Sequence, residues 1–277
     1  MEPRLKEVLA VVNNKGGVGK TTTVQSLAAA IVRNNKKARV LVIDMDPQCH
    51  LSLLAGWDLD KAALKGVRPG LPSVYDALSY IAPLPVYKTI RDGVYLSPSS
   101  PDLEGVDLDL QHQKNYDPRE ILARCIEQPF NDQTGEGLTS VFEDFDYVLI
   151  DCPPALSLST YNAMTAATGM LVPTQLTALS TNGLGNIIVA MGIIQKRLNK
   201  NLELKGILPT MTNLRLRKSR GCLEYLKESY PEHVCNTVIR ECSKMDEAQN
   251  YMKDIYKYKQ WSTVANDYDA LAKELFN

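Results

Sequence analysis

The sequence predicts an α/β fold, in which a mostly parallel, twisted sheet of about seven or eight strands carries helices on both faces. Short apolar runs alternate with longer stretches of helical spacing along the chain, and crossover connections place such helices on both faces of a parallel sheet. With 277 residues, 44% of them hydrophobic, the chain can bury a substantial core. No Pro/Gly/Ser-rich linker divides it, so we expect one domain over residues 1–277.

Seven apolar runs are candidate strands because each is short and rich in Val, Ile or Leu. The first two are "VLAVVNN" at Val8 and "RVLVIDMD" at Arg39. The others are "GVYLSPS", "YVLIDCPP", "GMLVPTQ", "KGILPT" and "HVCNTVIR", which begin at residues 93, 147, 169, 205 and 233. Ligands collect at the C-terminal ends of parallel strands, so residues that follow these runs are candidates for a site.

Helical spacing of apolar residues predicts seven helices between these runs. They cover residues 21–33, 73–80, 118–127, 158–167, 184–198, 218–229 and 262–276. The least regular segments, 56–72 and 128–137, are interpreted as surface excursions rather than domain boundaries.

Composition argues against several classes of protein. No apolar run approaches the roughly 20 residues that cross a bilayer, and the start "MEPRLKEVLAVV" lacks a signal-peptide layout. We therefore expect a cytoplasmic protein with no membrane partner. The six cysteines lack the two-residue spacing of metal and redox motifs, so no disulfide is expected. A formal net charge of −1 gives no global attraction to nucleic acid, so any such binding needs a local patch.

The stretch "VVNNKGGVGKTTT", residues 11–23, is a candidate phosphate loop. An apolar strand leads into a glycine-rich turn and "GKTTT" opens a helix, so backbone N–H groups and a helix N-terminus face the phosphates. Asn14 stands where the strict Walker A motif has its first glycine. Gly16, Gly17 and Gly19 let the backbone approach the phosphates, which a Cβ would obstruct.

Polar side chains after the loop and after two other strands complete the expected Mg·ATP site. Lys20 is expected to contact the β- and γ-phosphates, Thr21 to bind Mg²⁺, and Thr22 to donate to the α-phosphate. The runs "VLVIDMDPQ" and "YVLIDCPP" deliver acids, Asp44 with Asp46 and then Asp151, to the same edge of the sheet.

The set "KGGVGKTTT", "VIDMDPQ" and "LIDCPP" strongly resembles the ParA/MinD family of deviant Walker ATPases, and within it the ParA type. The segments "VYDAL", "LSPSSPDL", "VPTQ", "GILPTM" and "YDALAKEL" are also similar to ParA, so the resemblance covers essentially the full chain. It implies the P-loop NTPase fold, a single ParA-type ATPase domain, and ATP with Mg²⁺ as cofactors.

Lys15 is a second lysine in the same loop. Two cations placed on one triphosphate from one loop would repel each other, so Lys15 is expected to reach elsewhere. By resemblance it is the signature lysine, which crosses the interface of an ATP-sandwich homodimer and contacts the nucleotide of the other subunit. A cation supplied in this way contributes roughly 10³ to 10⁵ in rate when the transition state uses it. A solvated loop lysine is the alternative.

The resemblance also assigns the remaining roles at the site. Asp151 resembles the Walker B acid that holds Mg²⁺ through water, Asp46 the aspartate that positions the attacking water, and Asp44 a support of the magnesium shell. For Asp44 a structural cap at the strand end is an alternative. The catalytic residues are then Lys15, Lys20 and Asp46, and the metal-site residues are Thr21, Asp44 and Asp151. The ATP-binding residues are Lys15, Gly16, Gly17, Val18, Gly19, Lys20, Thr21, Thr22, Pro209, Thr210 and Met211, the last three near the base.

The segment "NLRLRKSR", residues 213–220, contains four cations and no acid. The predicted contacts to double-stranded DNA, nonspecific in sequence, are Arg215, Arg217, Lys218, Arg220 and Lys244. Lys244 lies in a segment that resembles "VRLSEA" of the family. Two such patches on one face of a dimer gain from bivalency, which makes DNA binding depend on ATP. A solvated helix face is the alternative.

Two related functions fit the sequence less well. A membrane ATPase of the MinD kind would end in a basic amphipathic helix, whereas "NDYDALAKELFN" mixes acids with apolar residues. An iron–sulfur reductase needs cysteines at the dimer face, and Cys152 has no evident companion. The resemblance therefore predicts a cytoplasmic, nucleoid-associated partition ATPase for plasmids or chromosomes, released from DNA when a ParB-like or cargo-adaptor protein stimulates hydrolysis. Positioning of a protein cargo on the nucleoid is an alternative.

Overall fold

The computed structural model describes residues 4–60, 63–64, 70–111, 115–131 and 138–276, with the backbone alone at 63–64, 131, 138 and 178–182. The strands in these residues are β1 (Glu7–Val11), β2 (Val40–Asp44), β3 (Trp57–Asp58), β4 (Ala63–Leu64), β5 (Tyr87–Lys88), β6 (Val94–Ser97), β7 (Phe130–Asn131), β8 (Leu138–Thr139), β9 (Tyr147–Asp151), β10 (Gly169–Gln175) and β11 (Glu203–Thr210).

Seven of these strands form the central sheet, in the order β11-β10-β1-β9-β2-β6-β5. Neighbouring strands run parallel, except that β5 is antiparallel to β6. The predicted mostly parallel sheet is therefore confirmed. Two short antiparallel pairs form in the irregular segments: β3 with β4 lies within 56–72, and β7 with β8 joins the start of 128–137 to the residues just after it. Parts of both segments fall outside the described residues.

The helices of the described residues are α1 (Lys20–Asn34), α2 (His50–Leu54), α3 (Val74–Tyr80), α4 (Val106–Gln111), α5 (Ile121–Glu127), α6 (Val141–Asp144), α7 (Leu158–Ala166), α8 (Ala178–Arg197), α9 (Arg217–Ser229), α10 (Ser243–Asn250), α11 (Ile255–Lys259) and α12 (Thr263–Phe276), with a 3₁₀ turn at Pro101–Gly105. Each of the seven predicted helices is present, with its ends shifted by a few residues. None of the described helices combines the length and the apolar character that spanning a bilayer requires.

Two hydrophobic clusters cover the two faces of the sheet. Alternate residues of β1 point to opposite faces, so that Val8 and Ala10 belong to one cluster and Leu9 and Val11 to the other. The first cluster joins the sheet to α3 through α9, and the second joins it to α1, α2, α10, α11 and α12. Both faces are therefore closed to water, as the continuous apolar character of β2 and β9 requires.

The predicted strand at residue 233 is wrong. This segment forms isolated bridges at Val234, with Ile207 of β11, and at Arg240, with Thr212 just after β11. Between the bridges the N–H groups of Asn236 and Thr237 donate to the carboxylate of Glu274 on α12, at 2.6 and 2.8 Å. Because these donors serve a helix rather than a strand, no continuous ladder forms. The short strand β5 is the seventh member of the sheet instead.

Asp146, which directly precedes β9, holds the N-terminal edge of the sheet together. Its Oδ2 accepts hydrogen bonds from Nε and Nη2 of Arg4, at 3.0 and 2.8 Å, and from the N–H of Arg39 at 2.8 Å. Burial raises the pKa of Asp146, but the hydrogen bonds from Arg4 and Arg39 outweigh it, so the pKa lies below its ordinary value. The ionised carboxylate thus fixes the chain before β1 and before β2 against β9.

Candidate functional site

The register of β1, β2 and β9 brings their C-terminal ends together, at the edge of the sheet opposite to Asp146. Val11 at the end of β1 and Asp44 at the end of β2 both lie beside Asp151 at the end of β9. The turn that follows β1 therefore passes directly over two buried acids.

Two glycines of that turn have the backbone conformation that residues with a Cβ rarely adopt. Gly17 has a φ of +69° and Gly19 a φ of +87°. A Cβ built on Gly17 would meet no atom within 4 Å, and one on Gly16 would lie 3.9 Å from the Cβ of Pro154. The space beside these glycines is therefore open, and it lies at the N-terminus of α1, where an anion is favoured.

Side chains from both flanking strands hold the turn in place. Asn13 donates from Nδ2 to the backbone of β10 at 2.7 Å and accepts the N–H of Lys15 at 2.9 Å. Gln175, at the end of β10, donates to the carbonyl of Gly17 at 3.0 Å. Thr210, at the end of β11, donates from Oγ1 to the carbonyl of Val18 at 2.8 Å. The hydroxyl of Thr210, predicted near the base, is thus used to support the turn.

Lys20 begins α1 as a buried cation. Its Nζ donates to the carbonyl of Lys15 at 3.1 Å, which bends the ammonium group back over the glycine turn. Burial lowers the pKa of Lys20, while the negative charge of Asp151 and, less strongly, that of Asp46 act in the opposite direction.

Asp151, at the end of β9, is a buried acid. Both of its carboxylate oxygens are buried and have no hydrogen-bond partner among the described residues. Burial and then the charge of Asp44 raise the pKa of Asp151 well above its ordinary value, while the Thr21 hydroxyl and the Lys20 ammonium act against them. An unsatisfied buried carboxylate is costly, and a cation would stabilise it.

Magnesium fits this set of donors. Mg²⁺ prefers carboxylate and hydroxyl oxygens, and it is commonly held by one or two carboxylates together with phosphates and water. Asp151 and Thr21 supply such oxygens. Within the described ranges no three His, Cys, Asp or Glu side chains form a metal cage.

Asp44 and Asp46 differ in their use of hydrogen bonds. Asp44 is fully buried, and its carboxylate accepts the N–H and hydroxyl of Ser52, at 2.8 and 2.6 Å, and the N–H of Asp46 at 3.2 Å. Burial raises the pKa of Asp44 above its ordinary value, and the bonds from Ser52 oppose this. Asp46 is 8% exposed and its Oδ1 accepts the N–H of Gln48 at 3.0 Å. Only Asp46 thus borders the open cleft.

The cleft over the turn has a volume of about 550 Å³, within the range of small-molecule sites. It brings together many of the predicted residues, namely Gly16, Gly17, Gly19, Lys20, Thr21, Thr22, Asp46 and Met211. The residues that sequence reasoning missed are Gln48, His50, Leu53, Leu54, Pro154, Gln249, Asn250 and Met252. The residues on α2 and near α10 could not be predicted from the sequence, because these helices are too short for apolar periodicity to appear.

A second cleft of about 160 Å³ adjoins the first and shares Met211 and Gln249 with it. Thr210 also lines this cleft, whereas Pro209 is not among its lining residues and its carbonyl accepts the N–H of Ile239 at 2.8 Å. Gln249 donates from Nε2 to the hydroxyl of Thr22 at 2.7 Å, which links α10 to the first turn of α1.

Known proteins resemble this chain over nearly its whole length. A family model described as an AAA domain matches residues 6–204. The sporulation initiation inhibitor protein Soj of Bacillus subtilis is 31% identical over 271 residues, which cover 97% of this chain and 98% of Soj. The chromosome partitioning protein ParA of Caulobacter vibrioides is 32% identical, covering 98% of this chain and 94% of that protein. The chain belongs to the ParA/MinD family.

The ParA/MinD chain also resembles a solved structure. Cobyrinic acid a,c-diamide synthase from Mycobacterium smegmatis, crystallised with an ATP analogue and magnesium, superposes with a TM-score of 0.75 at 31% identity. The match covers 97% of this chain and 93% of that chain. The predicted family and the predicted P-loop NTPase fold are therefore confirmed.

The basic segment of this ParA/MinD chain, residues 213–220, runs from the loop after β11 into the first turn of α9. The exposed cations there are Arg215, Arg217, Lys218 and Arg220. Arg220 donates from Nη1 to the carbonyls of Leu214 and Arg215, at 2.9 and 3.2 Å, and so braces the loop. Lys244, on α10, forms an ion pair with Glu247 at 2.7 Å. Two of the five predicted DNA contacts therefore already have partners within the chain.

Proposed function

We propose that this chain is a single ParA-type ATPase domain that binds Mg·ATP, dimerises around it and binds double-stranded DNA without sequence specificity. Hydrolysis, stimulated by a ParB-like or cargo-adaptor protein, releases it from DNA. The observation that carries this proposal is the buried carboxylate of Asp151, which has no hydrogen-bond partner in the described part of the chain and lies near Lys20 and Thr21, beneath an open glycine turn. Membership in a family of P-loop ATPases supports it.

The residues of the turn bind and orient the triphosphate. Backbone N–H groups between Gly16 and Thr22 would surround the phosphate oxygens, and Lys20 would exchange the Lys15 carbonyl for the β- and γ-phosphates. Thr21 would hold Mg²⁺ directly and Asp151 through water. When bound, Mg²⁺ supplies positive charge to the β- and γ-phosphate oxygens.

Asp46 is the proposed holder of the attacking water. Its carboxylate borders the cleft, whereas Asp44 is engaged by Ser52 and supports the segment from inside. Lys15 is the proposed cation in trans, which contacts the nucleotide of the second subunit and couples dimerisation to ATP. Hydrolysis removes the γ-phosphate on which that contact depends.

Arg215, Arg217 and Lys218 form the proposed DNA surface. Arg215 precedes α9, the other two open it, and all three are exposed. Duplex phosphates are attracted to such cations regardless of sequence. Lys244 contributes less to this surface because Glu247 neutralises it. A dimer carries two such surfaces, so ATP-dependent dimerisation raises DNA affinity by bivalency. The proposed location is the cytoplasm, on the nucleoid.

A DNA-retention assay with ATP, ADP and no nucleotide tests the proposal. We expect retention on a DNA-coated surface with ATP alone, and longer retention with little ATP turnover for Asp46→Ala. Equal retention in all three conditions would remove the nucleotide switch. Rapid hydrolysis by Asp46→Ala would instead show that the water is positioned by another residue.

A further inference from the structure

The backbone of Asp46 is held at both ends by a buried hydrogen-bond network. Its N–H donates to Asp44 at 3.2 Å, and its carbonyl accepts the hydroxyl of Ser99 at 2.7 Å and the N–H of Cys49 at 2.9 Å. Ser99 follows β6, which lies next to β2 in the sheet. A residue from a neighbouring strand end therefore fixes the segment that carries Asp46.

Ser52 closes the network. Its hydroxyl donates to Oδ2 of Asp44 at 2.6 Å and accepts the N–H of Ser99 at 2.9 Å. Asp44 and Ser52 are fully buried and Ser99 is 1% exposed, so water does not compete for these bonds. The three side chains link the ends of β2 and β6 to α2.

We propose that Ser99 is a positioning residue for the hydrolytic step, acting through the backbone of Asp46. The proposal rests on the role proposed above for Asp46. The carboxylate of Asp46 accepts the N–H of Gln48 from its own loop, so its place over the cleft depends on where the loop backbone is held. Misplacing a reacting group by about 1 Å can lower the rate roughly 100-fold, so a positioning bond can matter without touching the substrate.

The purely structural alternative is that Ser99 only stabilises the fold. Ser97 provides a matched control, because it lies two residues earlier on β6 and is equally buried. Its hydroxyl donates to the carbonyl of Pro85 at 2.6 Å, away from the Asp46 loop. Serine-to-alanine replacement at either position removes one buried hydrogen bond, but only the change at Ser99 frees the carbonyl of Asp46 from the neighbouring strand.

The experiment compares steady-state ATP hydrolysis, ATP affinity and thermal unfolding for Ser99→Ala, Ser99→Thr and Ser97→Ala. Ser99→Ala is expected to lower kcat about tenfold, the effect of one lost hydrogen bond of roughly 1.4 kcal/mol, with KM for ATP changed less than twofold. Ser99→Thr retains the hydroxyl and is expected to restore kcat, and Ser97→Ala to leave it unchanged. A normal kcat for Ser99→Ala, or an equal loss for Ser97→Ala, would overturn the proposal.

Two further variants keep the test decisive. If Ser99→Ala does not fold, Ser99→Cys keeps the volume with a weaker donor and is expected to lose kcat in the same way; a normal kcat overturns the proposal. Asp46→Ala separates this inference from the proposed function, because its normal hydrolysis would refute the role of Asp46 itself. Loss of hydrolysis in Asp46→Ala with normal hydrolysis in Ser99→Ala would refute only the positioning role.

Discussion

Removing three cations from the start of α9 tests the proposed DNA surface through its dependence on salt. Each phosphate contact contributes about 0.9 to the negative slope of log K against log[salt]. Arg215, Arg217 and Lys218 are exposed, whereas Arg220 is turned back onto the carbonyls of its own loop. Replacing the first three by alanine is therefore expected to reduce the slope by about 2.7 for each protomer that contacts DNA.

The assay is fluorescence anisotropy with a labelled duplex and a non-hydrolysable ATP analogue, repeated at several salt concentrations. A matched control removes three exposed cations at the C-terminal end of α8 and just after it, Lys196, Arg197 and Lys200. Both triple variants lower the net charge by three, so a general charge effect changes both slopes equally. The proposal predicts that the slope falls only for the variant at α9, while ATP-dependent dimerisation stays normal in both.

Two results would refute the reasoning. An unchanged slope for the α9 variant would mean that DNA contacts another surface. A slope that falls equally in the control would mean that total charge, rather than this segment, governs binding. A further check is Arg220→Ala, which is expected to reduce the slope by less than about 0.9 because that guanidinium is used within the loop.

Three other predictions follow from the site and from the opposite edge of the sheet. Lys15→Gln is expected to bind ATP but to form no ATP-dependent dimers in light scattering; normal dimers would contradict the contact in trans. Asp151→Asn is expected to weaken Mg·ATP binding about 10- to 100-fold, with little change without Mg²⁺, by calorimetry. Arg4→Ala is expected to lower the free energy of unfolding by about 1–2 kcal/mol at neutral pH. This loss should become smaller as the pH falls through the depressed pKa of Asp146, because the ion pair stabilises only the ionised carboxylate, whereas the bond from Arg4 to the carbonyl of Lys37 remains. A pH-independent loss in urea unfolding would contradict it.

The sheet and the longer helices could be predicted because their apolar periods extend over enough residues. Apolar periodicity does not predict an element that is very short, such as α2 with five residues or β5 with two. It also gives a wrong prediction where a side chain distant in sequence accepts the backbone N–H groups that a strand would need. The segment at residue 233 has the apolar content of a strand, but the carboxylate of Glu274 accepts two of its N–H groups, those of Asn236 and Thr237. No local pattern reveals such a partner.

Ion pairs between residues distant in sequence also cannot be predicted from the sequence. The pairing of Lys244 with Glu247 joins residues three positions apart on one helix, which the sequence alone can suggest. Arg240 instead pairs with Asp267, 27 residues further along, and only the fold reveals that this cation is neutralised. Counting cations along the chain therefore overstates the positive surface near α10, while the segment that opens α9 keeps its exposed charges.

The two acids of "DMD" illustrate what the sequence can and cannot assign. Both follow the same buried strand at a spacing of two, so the pattern brings both to one edge of the sheet and does not distinguish them. Hydrogen bonding distinguishes them, because Ser52 and the Asp46 N–H occupy the carboxylate of Asp44, whereas Asp46 borders the cleft. The first acid therefore builds the support on which the second is placed. Ser99 ties that support to the next strand, so the geometry of the proposed catalytic group depends on residues that never meet the nucleotide.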